Sequence, residues 1–299
     1  MRLSLGPVQY YWSREQLQEF YEAAAQWPVQ TVYLGETVCS KRRLFRLDDW
    51  LETGRRLAAA GKEVVLSTLT LLEAESELKT LRRVCANGEF LVEANDMGAV
   101  QLLSSAGVPF VAGPAVNLYN PASLEVLARA GMKRWVVPLE LGRQTLEAMS
   151  GSLPEGVETE LFAWGRMPLA YSARCYTARA YDLPKDDCQY RCLDHPDGFT
   201  LKTKEGEAFL AVNGIQTQSA LTQNLLPELE SIKGLGVDLL RISPQSRHME
   251  RVVSAFHDAV EGEGAPESLE RLAPAGVCDG YWHGVAGLRR RGADSEALQ

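Results

Sequence analysis

Three of the chain's six cysteines lie in one short polar stretch. Cys175, Cys188 and Cys192 fall within "YSARCYTARAYDLPKDDCQYRC", residues 171 to 192, which is rich in Arg and Asp and contains Pro184. A free cysteine usually fills a small apolar space, but this stretch offers little apolar surface. In a reducing compartment, clustered cysteines favour metal binding or redox chemistry over disulfides. The sequence therefore predicts a metal-binding loop.

A fourth cysteine is expected to join this group. Cys39 comes just after a predicted strand at residues 31 to 36. The loops that follow parallel strands open at the same edge of a sheet or barrel, so Cys39 and the cysteine stretch are predicted to face one another. Cys85, in a predicted helix, and Cys278, near the C-terminus, are expected to be ordinary packing residues.

Spacing alone leaves the identity of the metal open. Structural zinc sites usually carry a close pair of cysteines on each half, and here only Cys188 and Cys192 form such a pair. Iron-sulfur clusters accept thiolates at varied spacings. A 4Fe-4S cluster with four thiolates carries a net negative charge, which basic side chains close to the cysteines would balance. Basic residues on a solvated surface would give the same pattern in the sequence. These flanking residues are Lys41, Arg42, Arg43, Arg174 and Arg191.

Eight short apolar runs alternate with helical patterns along the chain. This alternation predicts parallel strands joined by right-handed crossovers, and hence a (β/α)8 TIM-type barrel, regular or distorted, with an open doubly wound sheet as the alternative. Capping residues mark predicted helices at 13 to 27, 47 to 61 and 120 to 131, which start at Ser13, Asp48 and Asn120 and end, for the last two, at Gly61 and Gly131. The predicted strands span residues 2 to 7, 31 to 36, 63 to 68, 89 to 94, 109 to 114, 134 to 140, 158 to 164 and 237 to 243.

The alternation is interrupted once, between the seventh and eighth strands. About 70 residues lie there, far more than the median connection of about 4–6 residues. We predict a single barrel domain over 1–299, with an insertion at 165–220 that carries three of the cysteines and a C-terminal tail at 263–299. Within and after the insertion, the pattern predicts a hairpin at 199 to 212 and a helix near 219 to 234.

Several polar residues fall at the predicted carboxyl ends of strands, where a barrel builds its active site. Glu36, Asn117 and Glu140 are the candidates for substrate contact, and Glu93 has a similar position. A carboxylate at the end of an apolar strand needs a partner, which can equally be a neighbouring Lys or Arg. Asn120 precedes "PASLEVL" and is expected to cap a helix instead.

Composition excludes several classes of function. A net charge of −8 over 299 residues argues against an extended nucleic-acid surface. Neither a "GxGxxG" after the first strand nor a Walker motif occurs, so no dinucleotide or ATP site is indicated. The sequence contains no transmembrane run and no leader pattern, which predicts a cytoplasmic protein.

A family resemblance joins several of these segments. "SLGPVQYYW", "YLGETVCSKRR", "FVAGPAVNLYN", "MPLAYSARCYTAR", "KDDCQYRC" and "VNGIQTQSA" together resemble ubiquinone-biosynthesis proteins of the UbiV type, relatives of the collagenase-like peptidase family. The resemblance implies an oxygen-sensitive 4Fe-4S cluster on Cys39, Cys175, Cys188 and Cys192. It also implies oxygen-independent hydroxylation of the ring of ubiquinone precursors, a heterodimer with UbiU and a lipid-carrying accessory protein.

Two other functions remain as alternatives. One is a zinc-stapled, non-catalytic scaffold, and the other is a peptidase-related hydrolase, although no "HExxH" or "GxSxG" motif is present. Tyr10, Tyr11 and Trp12 are a candidate partner contact, because Tyr and Trp anchor interfaces well. Packing of these three side chains in the core is the alternative.

Overall fold

Eight parallel strands close into a barrel. The computed structural model describes residues 1–263 and 268–290. Strands β1 to β7 pair in chain order, and β11 pairs with both β1 and β7, which closes the ring. The predicted (β/α)8 barrel is therefore confirmed over the open sheet. The barrel strands are β1 Arg2–Leu5, β2 Thr31–Leu34, β3 Glu63–Ser67, β4 Leu91–Ala94, β5 Phe110–Ala112, β6 Met132–Val136, β7 Glu158–Tyr171 and β11 Leu239–Ile242.

The connecting helices begin largely where capping chemistry predicts. Ser13 makes a capping box with Gln16, and Asn120 accepts a hydrogen bond from the Ser123 amide at 2.9 Å. The prediction for Asp48 was wrong by two residues, because Arg46 is the N-cap and its amide donates to Asp49. The helices are α1 Arg14–Ala24, α2 Leu47–Ala59, α3 Glu75–Cys85, α4 Met97–Ser105, α5 Pro121–Arg129, α6 Arg143–Met149, α7 Tyr176–Ala180, α8 Leu229–Lys233 and α9 Met249–Glu261.

The insertion extends the barrel sheet. Strand β7 continues past the barrel and pairs antiparallel with β10 (Gln216–Asn224), which pairs with β9 (Ala208–Asn213), and β9 pairs with β8 (Phe199–Lys202). The predicted hairpin is therefore present. The predicted helix near 219 to 234 is wrong in its first part, because β10 occupies residues 216–224. Pairing with two neighbouring strands determines that this segment is a strand and not a helix. Its buried glutamines form hydrogen bonds with partners inside the protein.

Part of the predicted C-terminal tail folds back on the insertion. Within residues 268–290, strand β12 (Val277–Cys278) pairs with β10, and the Cys278 side chain is buried. The Trp282 side chain is buried as well, and the Trp282 carbonyl accepts a hydrogen bond from the Arg143 amide. Residues 264–267 and 291–299 of the predicted tail lie outside the described residues.

A buried ion network fills part of the barrel interior. Glu160 accepts hydrogen bonds from Arg241 Nε at 2.7 Å, from Ser4 Oγ at 2.6 Å and from the Tyr33 hydroxyl. Arg241 also pairs with Glu93 at 2.7 Å, and its guanidinium lies 4.1 Å from the centre of the Tyr33 ring. Each charge in this network thus faces an opposite charge, as a buried charge requires.

Candidate functional site

Glu36 shapes the loop that carries Cys39. Its carboxylate accepts the backbone amides of Val38 at 2.8 Å and Cys39 at 3.0 Å. The loop leaves β2 at Gly35, whose φ of +126° and close approach to the Ser67 carbonyl suit glycine. The candidate role of Glu36 in substrate contact has no support from this geometry, because the side chain is used within the loop.

The turn between β9 and β10 holds the Cys175 segment. The Gly214 carbonyl accepts the Tyr176 amide at 2.8 Å, and the Gly214 amide donates to Thr177 Oγ1 at 2.9 Å. Cys175 is the N-cap of α7, with its sulfur 3.4 Å from the Ala178 amide nitrogen. The hairpin of the insertion therefore fixes the position of Cys175 relative to the barrel.

Lys41 ties the segment before Cys188 to the loop of Cys39. Its ammonium donates to the Lys185 carbonyl at 2.8 Å and to the Asp186 carboxylate at 2.7 Å. Cys188 ends the short 3-10 turn of Lys185–Asp187. Segments that are far apart in sequence are thus held together at the same end of the barrel.

The electrostatics link the four predicted ligands. Burial raises the pKa of the Cys39 thiol to about 11, against the opposing charge of Arg42. Burial likewise raises the pKa of Cys192, again opposed by Arg42, and the charge of Cys175 acts on both thiols. Lys41 interacts with Cys39 and with Cys188. All four cysteines are half-buried and free, and the positive charges of Arg42 and Lys41 act on three of them, Cys39, Cys188 and Cys192.

Arg42 is the buried cation of this region. Its guanidinium donates to the Gln9 carbonyl at 2.7 Å and to Asn213 Oδ1 at 2.6 Å, and it lies 3.6 Å from Glu36. Its Nε is buried and has no hydrogen-bond partner among the described residues. The Tyr11 ring lies 5.6 Å from the guanidinium. Positive charge in this position favours deprotonated cysteines, the form that binds metals.

The thiols as they lie in the structure do not form a single-ion site. Over residues 1–263 and 268–290, no three or more His, Cys, Asp or Glu side chains are grouped so as to hold one metal ion. A 4Fe-4S cluster is an anionic group that takes one thiolate at each iron. The cysteine chemistry and the unpartnered Nε of Arg42 suit such an anionic group.

A cavity of about 320 Å³ opens at the carboxyl ends of the barrel strands, and Thr37 of the Cys39 loop is among its lining residues. Of the three candidates for substrate contact, Asn117 and Glu140 line this cavity and Glu36 does not. Glu140 accepts a hydrogen bond from the Tyr119 hydroxyl at 2.5 Å, and Asn117 adopts a left-handed conformation with φ of 60°. The volume is at the lower end of small-molecule sites. The other polar residues that line the cavity include Gln9, Thr37, Thr70, Glu93, Asn95, Tyr171, Arg241 and Ser243.

Sequence reasoning missed the buried polar residues and misplaced three aromatics. Tyr10, Tyr11 and Trp12 are 4%, 7% and 3% exposed, so the predicted partner contact is wrong and core packing is correct. Trp12 donates to the Pro196 carbonyl at 2.7 Å, which ties the barrel to the insertion. Arg42 was noted only as a flanking charge, and a signal for its burial was absent because "CSKRR" is polar throughout.

The sequence family follows from a match over most of the chain. A model of Peptidase family U32 matches residues 12–284. The chain belongs to Peptidase family U32. This confirms the predicted kinship with collagenase-like peptidases at the level of the family.

Solved structures resemble this U32 chain at low sequence identity. A U32 peptidase is 12% identical, with 82% of this chain and 93% of that chain covered and a TM-score of 0.47. Dihydropteroate synthase from Thermus thermophilus is 13% identical, with 86% and 93% covered and a TM-score of 0.43. The assignment of the barrel rests on the pairing of its strands.

Among the described residues, none of the helices has the length and apolar character that crossing a membrane needs.

Proposed function

We propose that this U32 protein is an iron-sulfur subunit required for oxygen-independent hydroxylation of the ring of ubiquinone precursors. In this proposal Cys39, Cys175, Cys188 and Cys192 hold a 4Fe-4S cluster. The chain works as a heterodimer with UbiU and alongside a lipid-carrying accessory protein. The resemblance to proteins of the UbiV type is the basis for the pathway and for both partners.

One observation carries the proposal: four free, half-buried cysteines lie on segments that Lys41, Arg42 and the Asn213–Gly214 turn hold together at one end of the barrel. Isolated packing cysteines would lie in apolar surroundings, as Cys85 and Cys278 do. A bound 4Fe-4S cluster would supply one-electron chemistry next to the cavity. The protein's own residues would hold the cluster, exclude water and position a small molecule.

The cavity supports a role for Asn117 and Glu140 in substrate binding. Both lie at the cavity rim, and apolar residues such as Phe162 and Leu169 line it further. This combination of apolar walls with a few polar groups is typical of small-molecule sites. Lining residues also lie close in sequence to the predicted ligands, because Thr37 precedes Cys39 and Tyr171 precedes Cys175.

Metal analysis tests the proposal. Protein purified without oxygen is assayed for iron, acid-labile sulfide and zinc, alone and after co-expression with UbiU. We expect about four irons and four sulfides per chain, as the 4Fe-4S formula requires, with loss of both in air. Zinc without sulfide would favour the scaffold alternative, and peptide hydrolysis by the purified protein would favour the hydrolase.

Single substitutions identify the ligands. Changing any one of Cys39, Cys175, Cys188 or Cys192 to Ala is expected to remove most of the iron, because each thiolate binds one corner of the cluster. Cys85→Ala is the matched control, since Cys85 is buried in α3 and should leave the iron content unchanged. Full iron content in Cys39→Ala would exclude Cys39 as a ligand.

A further inference from the structure

In the part of the chain that the structure describes, Arg42 is buried with one carboxylate partner, which lies beyond hydrogen-bond distance. Its two hydrogen-bond acceptors at short distance, the Gln9 carbonyl and the Asn213 amide oxygen, are both neutral. The nearest carboxylate oxygen, on Glu36, is 3.6 Å away and already accepts two backbone amides. A guanidinium inside a protein is expensive to bury without an anion. The arrangement of Arg42 is therefore one that an anionic group at Cys39 and Cys192 would complete.

Arg42 connects the Cys39 loop to Cys192 and to the turn that holds the Cys175 segment. Arg42 itself follows Cys39, and the Arg42 amide donates to the Cys39 carbonyl at 3.0 Å. Its charge acts on Cys192. It also anchors the Asn213–Gly214 turn, whose backbone holds the residues after Cys175. A side chain on Gly214 would place a Cβ atom 3.0 Å from Arg42 Nη2, so the turn approaches the guanidinium closely.

Gln9 connects this anchor to the cavity. Its carbonyl accepts hydrogen bonds from Arg42 and from Asn213 Nδ2, while its side chain lines the cavity. Gln9 Oε1 accepts from Gln216 Nε2 at 3.0 Å, and Gln216 Nε2 also donates to the hydroxyl of Tyr171 at 2.7 Å. Tyr171 lines the cavity as well. A connected set of hydrogen bonds thus runs from Arg42 to the cavity wall.

We propose that Arg42 is a positioning residue that fixes the cysteine segments against one another and against the cavity wall, and that supplies the buried positive charge of the cysteine site. The positioning role stands on the geometry of the protein alone. The electrostatic role rests on the proposed function, because it requires a cluster on the cysteines.

Hydrogen exchange in cluster-free protein tests the positioning role. Arg42→Met removes both the charge and the hydrogen bonds. Arg43→Met is the matched control, because the Arg43 side chain is exposed and its hydrogen bond within the described part of the chain goes to the nearby Ser40 carbonyl. We expect amide exchange in residues 36–46 and 172–180 to rise by about tenfold or more in R42M, since hydrogen bonds of a charged group hold these segments. Exchange in R42M equal to that in R43M would overturn the positioning role.

Arg42→Lys separates position from charge. Lysine keeps the charge but lacks the planar set of donors that reaches Gln9 and Asn213 together, so exchange should rise in R42K nearly as in R42M. Should R42M prove insoluble, Asn213→Ala removes one anchor of the guanidinium and is expected to raise exchange in the same two segments. Unchanged exchange in both R42K and N213A would also overturn the positioning role.

Redox titration of cluster-loaded protein tests the electrostatic role. Reduction adds negative charge, which a buried cation favours. At a fixed potential we expect the ratio of reduced to oxidised cluster to fall about tenfold in R42M, equivalent to a shift of about 59 mV for one electron. R42K and R43M should stay close to wild type. A wild-type ratio in R42M would refute the electrostatic role, whereas failure of the wild type to bind iron would refute the proposed function and leave the exchange result standing.

Discussion

Glu160→Gln tests how much the buried ion network stabilises the barrel. Glu160 is 0% exposed and accepts hydrogen bonds from Ser4 and Arg241. Glutamine keeps the shape of the side chain but leaves Arg241 with a single carboxylate partner, Glu93, at 2.7 Å. Breaking a buried ion pair lowers the free energy of unfolding by about 3–5 kcal/mol. Because Arg241 keeps Glu93 as a partner, we expect a loss at the lower end of this range, about 3 kcal/mol. For a domain of this size that loss lowers Tm by about 6–12 °C.

Thermal and urea unfolding, followed by circular dichroism, measure this effect. Glu63→Gln is the control, because Glu63 joins the same network through Arg134 at 2.8 Å but its side chain is 40% exposed. In this variant Arg134 still forms an ion pair with Glu158, so the free energy of unfolding should fall by less than about 1 kcal/mol. Equal losses in the two variants, or an E160Q protein as stable as wild type, would show that the desolvation of Glu160 cancels its attraction to the arginines.

Three further predictions concern acid, a loop glycine and the insertion. Burial opposes ionisation of Glu160, but its arginine partners outweigh burial and lower its pKa. The stabilisation that ionised Glu160 gives the folded protein is therefore complete above the unfolded pKa of about 4.3 and is lost as the pH falls through the folded pKa. The Tm of wild type should accordingly fall more steeply than that of E160Q below about pH 4. Gly35→Ala would place a Cβ 2.5 Å from the Ser67 carbonyl oxygen at φ of +126°, and should lower Tm more than Gly61→Ala, where φ is +84° and nothing lies within 4 Å. Limited proteolysis of cluster-free protein should cut within residues 172–198 and spare the paired strands β8 to β10; cuts inside those strands would contradict their pairing with β7.

The regular part of the fold was predictable from local pattern. Each of the eight barrel strands overlaps its predicted run, because buried parallel strands are near-continuous apolar segments. Strand β10 was missed because its residues, "QTQSALTQN", are mostly polar and are nevertheless buried against β7 and β9. No local property reveals that Gln216 and Gln218 have a common partner in Gln9, which lies some two hundred residues earlier.

The sequence distinguishes the clustered cysteines from the packing cysteines but does not indicate which side chains surround them. The polarity of the cysteine stretch separated its three cysteines from Cys85 and Cys278, which the structure buries. The buried state of Arg42 depends on the hairpin turn at Asn213, and long-range contacts of this kind leave no trace in spacing. Asn117 and Glu140 were placed at the barrel mouth by the general rule for strand ends, whereas Glu36 turned inward to its own loop.

Because strand β7 belongs to both the barrel and the insertion, it limits where segments can be exchanged between related proteins. Its 14 residues serve the barrel at one end and the insertion at the other. An exchange of residues 165–220 between relatives would join half a strand from one parent to half from the other and would cut β10 before its last residues. A chimera that keeps both registers must instead transfer the segment from Glu158 to Asn224 as one block. Chimeras of related proteins should therefore fold when the exchanged segments are joined at the turns that flank this block, and should fail to fold when they are joined inside it.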